Sequence, residues 1–189
     1  MCNFARCCGI AAVLLWTLGG ATRQTQNIHA IHVRLIDLAQ LDGPVALQAE
    51  SLAAGIFRRA GVELDFVDEA PKAEFWLEIL KQRPRPHGDA TGFAVLVRSD
   101  RSRDSYAAVS WPIVQGAARE LNAPEVEVLA AAMAHELGHL VLHSSGHSRT
   151  GLMKPRLDRA QIELLERGEL SFTKEETARL VERLDHIAP

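Results

Sequence analysis

The chain has 189 residues, of which 47% are apolar and 24% are charged. These fractions are typical of a globular protein and exclude a disordered tail, a collagen-like repeat and a polytopic membrane protein. The formal net charge of −3 and the 5% of aromatic residues exclude a basic footprint for nucleic acid and a stacking platform for single strands. The length predicts one domain, and no nucleic-acid partner is expected.

The first 21 residues have the three parts of a secretory signal peptide. Arg6 precedes an apolar run over residues 7–18, and the small residues Gly19 and Ala21 suit cleavage after Ala21. The apolar run is shorter than the ~20 residues that span a bilayer, so no stable membrane anchor is expected. All three cysteines precede the cut, so the exported chain, secreted or periplasmic, depends on core packing or a metal rather than on disulfides. The alternative is a frayed N-terminal helix on a cytosolic protein.

Hydrophobic periodicity divides the rest of the chain into five strands and four helices. The alternating segments that predict strands are 28–39, 62–67, 75–80, 92–97 and 105–111. The segments that predict helices are 44–60, 124–143, 158–167 and 173–187. The opening β-α-β order predicts a parallel pair with a right-handed crossover, and the later short connections predict at least one antiparallel pair. The expected fold class is α/β: a mixed, mainly parallel sheet of five strands, packed with two long helices on one side.

The segment that indicates chemistry is His135-Glu136-Leu137-Gly138-His139, near the end of the predicted helix 124–143. Histidines four residues apart lie on one face of a helix, ~6 Å apart along its axis, a spacing at which both can bind one zinc ion. Glu136 projects beside them and suits a general base acting on a zinc-bound water. Because residues 128–134 carry no charge, this helix is expected to be buried, where polar groups without a role are costly. The alternative is an exposed helix end with solvated histidines.

Three candidates remain for the third metal ligand. His147 is favoured, because residues 144–146 (Ser-Ser-Gly) can end the helix and turn the chain back to the metal. Glu163 or Glu166 on the following helix is the alternative. His143 continues the four-residue series, but ligands on three successive turns would spread over ~12 Å, too far for one tetrahedral site. His143 is therefore expected to lie at the surface or behind the ligands.

The segment resembles the metzincin clan of zinc metalloproteases, in which a third histidine and a methionine turn follow the two motif histidines. The run from His147 to Met153 matches the HSxxG-I/L-M ending of small exported bacterial proteins of this type. The resemblance covers roughly residues 28–155. It implies a zincin-like catalytic domain over 22–155, with 156–189 as a helical C-terminal subdomain of the same domain flanking the cleft.

The resemblance also implies roles for individual residues. His135, His139 and His147 would hold Zn²⁺, and Met153 would form the methionine turn beneath the metal, although a simple core methionine is the alternative for Met153. The usual metzincin spacing would place the turn glycine at Leu142 and the third histidine at Ser145, so this chain has two extra residues. His143 stands where the small bacterial relatives tend to have a glycine. No tyrosine follows the methionine turn to stabilise an oxyanion.

The sequence therefore predicts an exported zinc metalloendopeptidase, in which Glu136 activates a zinc-bound water for attack on a peptide or protein substrate. The predicted strand 92–97 is the candidate sheet edge for pairing with an extended substrate. One alternative is a non-catalytic, zinc-stabilised exported binding domain, which would not need Glu136 beside its first ligand. Another is a zinc amidohydrolase that acts on a non-peptide amide. Substrate side-chain preference and oligomeric state do not follow from the sequence.

Overall fold

A computed structural model describes residues 29–82, 91–96 and 106–187, and the predicted signal peptide lies outside them. The strands in this part of the chain are β1 His29–Asp37, β2 Val62–Phe66, β3 Phe75–Leu80, β4 Gly92–Val95 and β5 Tyr106–Ser110. Its helices are α1 Gly43–Arg59, α2 Trp111–Leu121, α3 Glu125–Leu142, α4 Arg159–Glu166 and α5 Lys174–Ile187, with a short 3-10 turn at Ala70–Lys72. All nine predicted elements in the described residues are therefore present, within a few residues of the expected bounds.

The five strands form one mixed sheet in the order β2-β1-β3-β5-β4. β1 is parallel to both β2 and β3, and β3 is parallel to β5. β4 is the exception, because it pairs antiparallel with β5 and lies at the edge. The predicted parallel β-α-β pair and the predicted antiparallel pair are both confirmed. β4 ends at Val95, and residue 97 of the predicted strand lies outside the described residues.

Helix α2 is a feature that the sequence prediction left out. Trp111, expected to end a strand, is instead the first residue of this helix, and Pro112 follows in the first turn, where a proline's missing N–H and its set φ favour a helix start. Ile113, Val114 and Ala118 bury one side of the helix. The helix stops at Asn122, whose left-handed backbone (φ 49°) turns the chain so that the N–H of Ala123 bonds to the carbonyl of Ala118 at 2.9 Å.

Helix α3 lies at the centre of the molecule. It packs against α1, α2, α4 and α5 and against strands β3, β4 and β5. Its residues Val128–Ala134 are buried on every side, as expected for a helix that is apolar all round. The polar side chains that follow in the last two turns, Glu136 and His139, are consequently buried as well.

The C-terminal helices begin with side-chain caps. Asp158 accepts a hydrogen bond from the backbone of Gln161, whose side chain bonds back to Asp158, which completes a capping box at α4. Thr173 and Glu176 form the same reciprocal pair at α5. Such caps satisfy backbone donors that the first turn leaves unpaired. Within the described ranges, no helix combines the length and the apolarity needed to cross a membrane.

Candidate metal centre

Three histidines meet at the C-terminal end of α3. His135 and His139 lie on successive turns of the helix, and His147 follows from the loop after it. Their potential ligand atoms all lie within 4.8 Å of one another, in the one such cluster found among the described residues. The Nε2 atoms of His135 and His139 are 3.1 Å apart. Two nitrogens bound tetrahedrally at ~2.0–2.1 Å would be ~3.3 Å apart, so the three residues could hold one metal ion.

Backbone carbonyls orient the two helical imidazoles. Nδ1 of His135 lies 2.9 Å from the carbonyl oxygen of Leu152, and Nδ1 of His139 lies 2.7 Å from that of Ser144. A carbonyl only accepts, so in each neutral ring Nδ1 carries the proton and donates it. Nε2 is then the unprotonated nitrogen, and a ligand nitrogen fixed in this way is a common arrangement in metal sites.

Burial also keeps these rings uncharged. Burial lowers the pKa of His135 to about 4, although its hydrogen bond with Leu152 acts in the opposite direction. Burial likewise lowers the pKa of His139, against the hydrogen bond with Ser144. Metal binding requires the neutral imidazole, so at neutral pH both residues are in the form that a metal ion needs.

The turn that brings His147 back begins at His143 rather than at the serine-glycine run. His143 follows the last residue of α3 in a left-handed conformation, with φ 47° and ψ 47°. Its N–H bonds to the carbonyl of Leu140, and the N–H of Ser144 bonds to the carbonyl of His139, the pair of bonds that defines a Schellman motif. His143 is half-buried and outside the histidine cluster. Its position is one that glycine usually occupies.

Met153 lies directly beneath the motif. Its side chain is buried, and a Cβ atom added at Gly138 would lie 2.6 Å from its Sδ atom. Gly138 stands between the two helical histidines in sequence, so the methionine packs against the segment of α3 that carries them. The loop closes on itself, because the N–H of Ser148 bonds to the carbonyl of Met153 at 2.9 Å. Met153 is therefore a core residue that also supports the loop behind the site.

The two glutamates considered as third ligands are placed elsewhere. Glu163 and Glu166 both pair with the guanidinium of Arg159, each at 3.3 Å. Neither belongs to the histidine cluster. Both carboxylates are well exposed on α4, so the structure brings His147, and not a glutamate, to the pair on α3.

Glu136 is a buried carboxyl group beside the cluster. It is 6% exposed, and its Oε2 atom has no hydrogen-bond partner among the described residues. Burial raises its pKa to about 8. A buried polar atom without a partner is costly, and strongly perturbed groups in a cleft occur preferentially at functional sites.

The cluster opens into a cleft of about 690 Å³. Glu136 and the three histidines line it together with residues of β4, α2 and the loop after Met153. Much of the wall is apolar, formed by Ile113, Ala117, Leu121, Ala132, Leu152 and Leu157. Charged groups contribute as well, from Glu120, Lys154 and Arg156. The volume falls within the ~300–1,000 Å³ range of typical ligand sites.

Two contributors to the cleft were not identified from the sequence. One is α2, which was not predicted as a helix. The other is the close contact of Gly92 with Glu136, within a strand that was predicted only as the edge for substrate pairing. A Cβ atom at Gly92 would lie 2.7 Å from Cγ of Glu136. A glycine inside a strand pattern can indicate that another group approaches the backbone closely, so the sequence did hold a signal for Gly92.

The chain was compared with known families, curated proteins and solved structures. No family model and no curated protein matches it. A similar solved structure is that of archaemetzincin from Methanopyrus kandleri, with 14% sequence identity and a TM-score of 0.51. The match covers 85% of this chain and 98% of that one. The structural likeness shows a shared fold, and at this low sequence identity it shows the fold alone. This fold agrees with the one that the sequence resemblance implied.

Proposed function

We propose that this protein is a zinc-dependent peptidase in which His135, His139 and His147 hold the metal and Glu136 moves the proton. The observation that carries the proposal is the cluster of three histidines, within 4.8 Å of one another, on the same cleft as a buried carboxyl group. Three protein ligands leave one tetrahedral position open, the feature that distinguishes catalytic from structural zinc sites. Neutral imidazole nitrogens are donors that suit zinc.

Zinc bound there supplies a Lewis acid that acidifies water and polarises a carbonyl group. A bound zinc cation would favour the carboxylate form of Glu136, and that carboxylate takes a proton from the attacking water as the new bond forms between the water oxygen and the carbonyl carbon. The same carboxyl group then donates that proton to the amine nitrogen as the carbon–nitrogen bond breaks. Glu136 is thus a carboxylate again at the end of the cycle, and the products are a carboxylic acid and an amine.

The cleft favours an extended peptide as the substrate. β4 is an edge strand, and its residues Gly92, Phe93 and Ala94 line the cleft. An exposed edge can bind a peptide through main-chain hydrogen bonds while pockets select its side chains. The apolar wall formed by α2 and α3 suits an apolar side chain next to the scissile bond. These features favour a peptide over a small non-peptide amide, and endopeptidase action follows if the cleft accepts chain on both sides.

A purely structural zinc site accounts less well for the same residues. A structural site closes its fourth position with another protein ligand, and in the described ranges no fourth histidine, cysteine or carboxylate joins the cluster. His147 is exposed, so solvent and substrate have access. The likeness in fold to archaemetzincin supports the peptidase proposal. Export after removal of residues 1–21, and the division at residue 155 into a catalytic domain and a helical subdomain, remain proposals from the sequence.

The decisive variant is Glu136→Gln, which keeps the size of the side chain and removes its basicity. We expect it to retain one zinc ion per chain and to lose at least ~10²-fold in turnover, the usual range for a general acid–base group. Peptides selected from a broad library, with apolar residues beside the cleaved bond, are the substrates, and zinc is measured by atomic spectroscopy.

Glu127→Gln is the matched control. Glu127 lies on the same helix, two turns before His135, and the described part of the chain offers its buried Oε2 atom no hydrogen-bond partner either. The Glu127→Gln variant should therefore keep both its zinc ion and its peptidase activity. A wild type that binds zinc tightly and cleaves no peptide would refute the peptidase proposal, and equal rates for wild type and Glu136→Gln would refute the role of Glu136.

A further inference from the structure

The first residue of β4 is in contact with the carboxyl group of Glu136. A Cβ atom at Gly92 would lie 2.7 Å from Cγ and 2.8 Å from Oε1 of Glu136, and 2.7 Å from the carbonyl oxygen of Ala108. Real Cβ atoms essentially never approach other heavy atoms closer than 3.0 Å. Any side chain at position 92 would therefore displace either the glutamate or the strand.

The strand itself is held in place on its other side. Gly92 is in register with Val109 of β5, and the N–H of Ser110 bonds to the carbonyl of Thr91 at 3.0 Å. β5 is an interior strand of the sheet. The backbone of β4 at Gly92 is thus fixed between β5 and the side chain that α3 presents.

Hydrogen bonds do not explain why the carboxyl group of Glu136 stays where it is. Glu136 is almost fully buried, with only 6% of its surface exposed. Even so, its Oε2 atom has no hydrogen-bond partner within the described part of the chain. Packing must therefore limit its rotamers, and the backbone at Gly92 lies against both its Cγ and its Oε1 atoms.

We propose that Gly92 is a positioning residue for Glu136. The missing side chain lets the backbone of the edge strand form the wall that holds the carboxyl group beside the histidines. The inference rests on the proposed peptidase function for its kinetic consequence, but the contact itself can be tested without any activity.

The kinetic test is Gly92→Ala. Ordinary van der Waals contact begins at 3.4 Å, so relief of a 2.7 Å contact requires a shift of about 0.7 Å. A misplacement of ~1 Å can cost ~10²-fold in rate, so we expect kcat to fall at least ~10-fold while KM changes less than ~2-fold. Zinc content should stay at one per chain. Gly43→Ala is the matched control, because a Cβ atom there meets nothing within 4 Å, and it should change neither parameter.

A double-mutant cycle separates positioning from a general effect on the strand. In the Glu136→Gln background there is no base to misplace, so Gly92→Ala should lower the residual kcat no further. Residues that act as a unit show this non-additivity. If the two losses multiply, Gly92 acts through substrate pairing or strand order, and the proposal is overturned.

A stability cycle gives a readout that does not depend on catalysis. Glu136→Ala removes the atoms that the new Cβ would meet, so Gly92→Ala should lower the thermal midpoint less in the Glu136→Ala background than in the wild type. Coupling of this kind between contacting residues is what such cycles measure. If Gly92→Ala alone does not fold, folding of the double variant is the supporting result. Equal losses in both backgrounds would identify the carbonyl of Ala108 as the obstacle and overturn the proposal, whether or not the wild type cleaves peptides.

Discussion

Replacement of His143 should change the stability of the fold without changing its metal binding. The residue adopts φ 47° and ψ 47° at the end of α3, a conformation that costs an ordinary L-residue ~1–2 kcal/mol. Glycine adopts it freely but loses ~0.5–1 kcal/mol more in chain entropy on folding. The difference predicts that His143→Gly stabilises the fold by ~1 kcal/mol, equivalent to a rise of ~2–4 °C in the thermal midpoint for a domain of this size.

The assay is thermal unfolding monitored by circular dichroism, together with zinc analysis of the same samples. His143→Ala is the control, because it removes the imidazole and keeps the strained backbone. We expect it to melt below His143→Gly, and both variants should retain one zinc ion per chain, since His143 lies outside the histidine cluster. Loss of zinc in both variants would show that His143 is a ligand. A lower midpoint for His143→Gly than for the alanine variant would refute the backbone argument.

Two further predictions concern the ligand set and the N-terminus. We expect zinc affinity to fall at least ~10-fold in each of the three variants His135→Ala, His139→Ala and His147→Ala. Glu163→Ala removes only a partner of Arg159 and should leave zinc affinity unchanged. Loss of zinc in the Glu163 variant would instead identify this glutamate as the third ligand. Protein recovered from its native host should begin near Thr22, as N-terminal sequencing would establish, and intact residues 1–21 on cytosolic protein would contradict export.

The periodic elements could be predicted because their signals are local. β3 was predicted with its observed bounds, and the buried helix α3 within one residue at each end. Alternation of apolar residues and long apolar helical runs reflect burial directly. α2 was not predicted because it follows β5 without any intervening residue. The apolar residues at its start therefore continued the pattern of the strand. Pro112 was the available signal for the change of structure.

The spacing of residues along α3 was enough to predict the centre of the site. Helix geometry places His135 and His139 on one face and Glu136 beside them, whatever the rest of the fold does. The choice of His147 required a turn, and its location was predicted less well: the sequence suggested residues 144–146, whereas the chain reverses at His143. A histidine in the left-handed region is uncommon, so local preference alone did not identify it.

What the sequence determined by itself was therefore the five strands, every helix except α2, the helical pair of histidines and the adjacent carboxylate, since these depend on residues two to four positions apart. Only the tertiary structure decided which groups contact these histidines and this carboxylate. The carbonyl of Leu152 that orients His135, the methionine beneath Gly138 and the glycine of β4 against Glu136 all come from distant segments. Their approach depends on how α3 packs between the sheet and the C-terminal loop, and close packing of this kind follows from the whole core and not from any short stretch of chain.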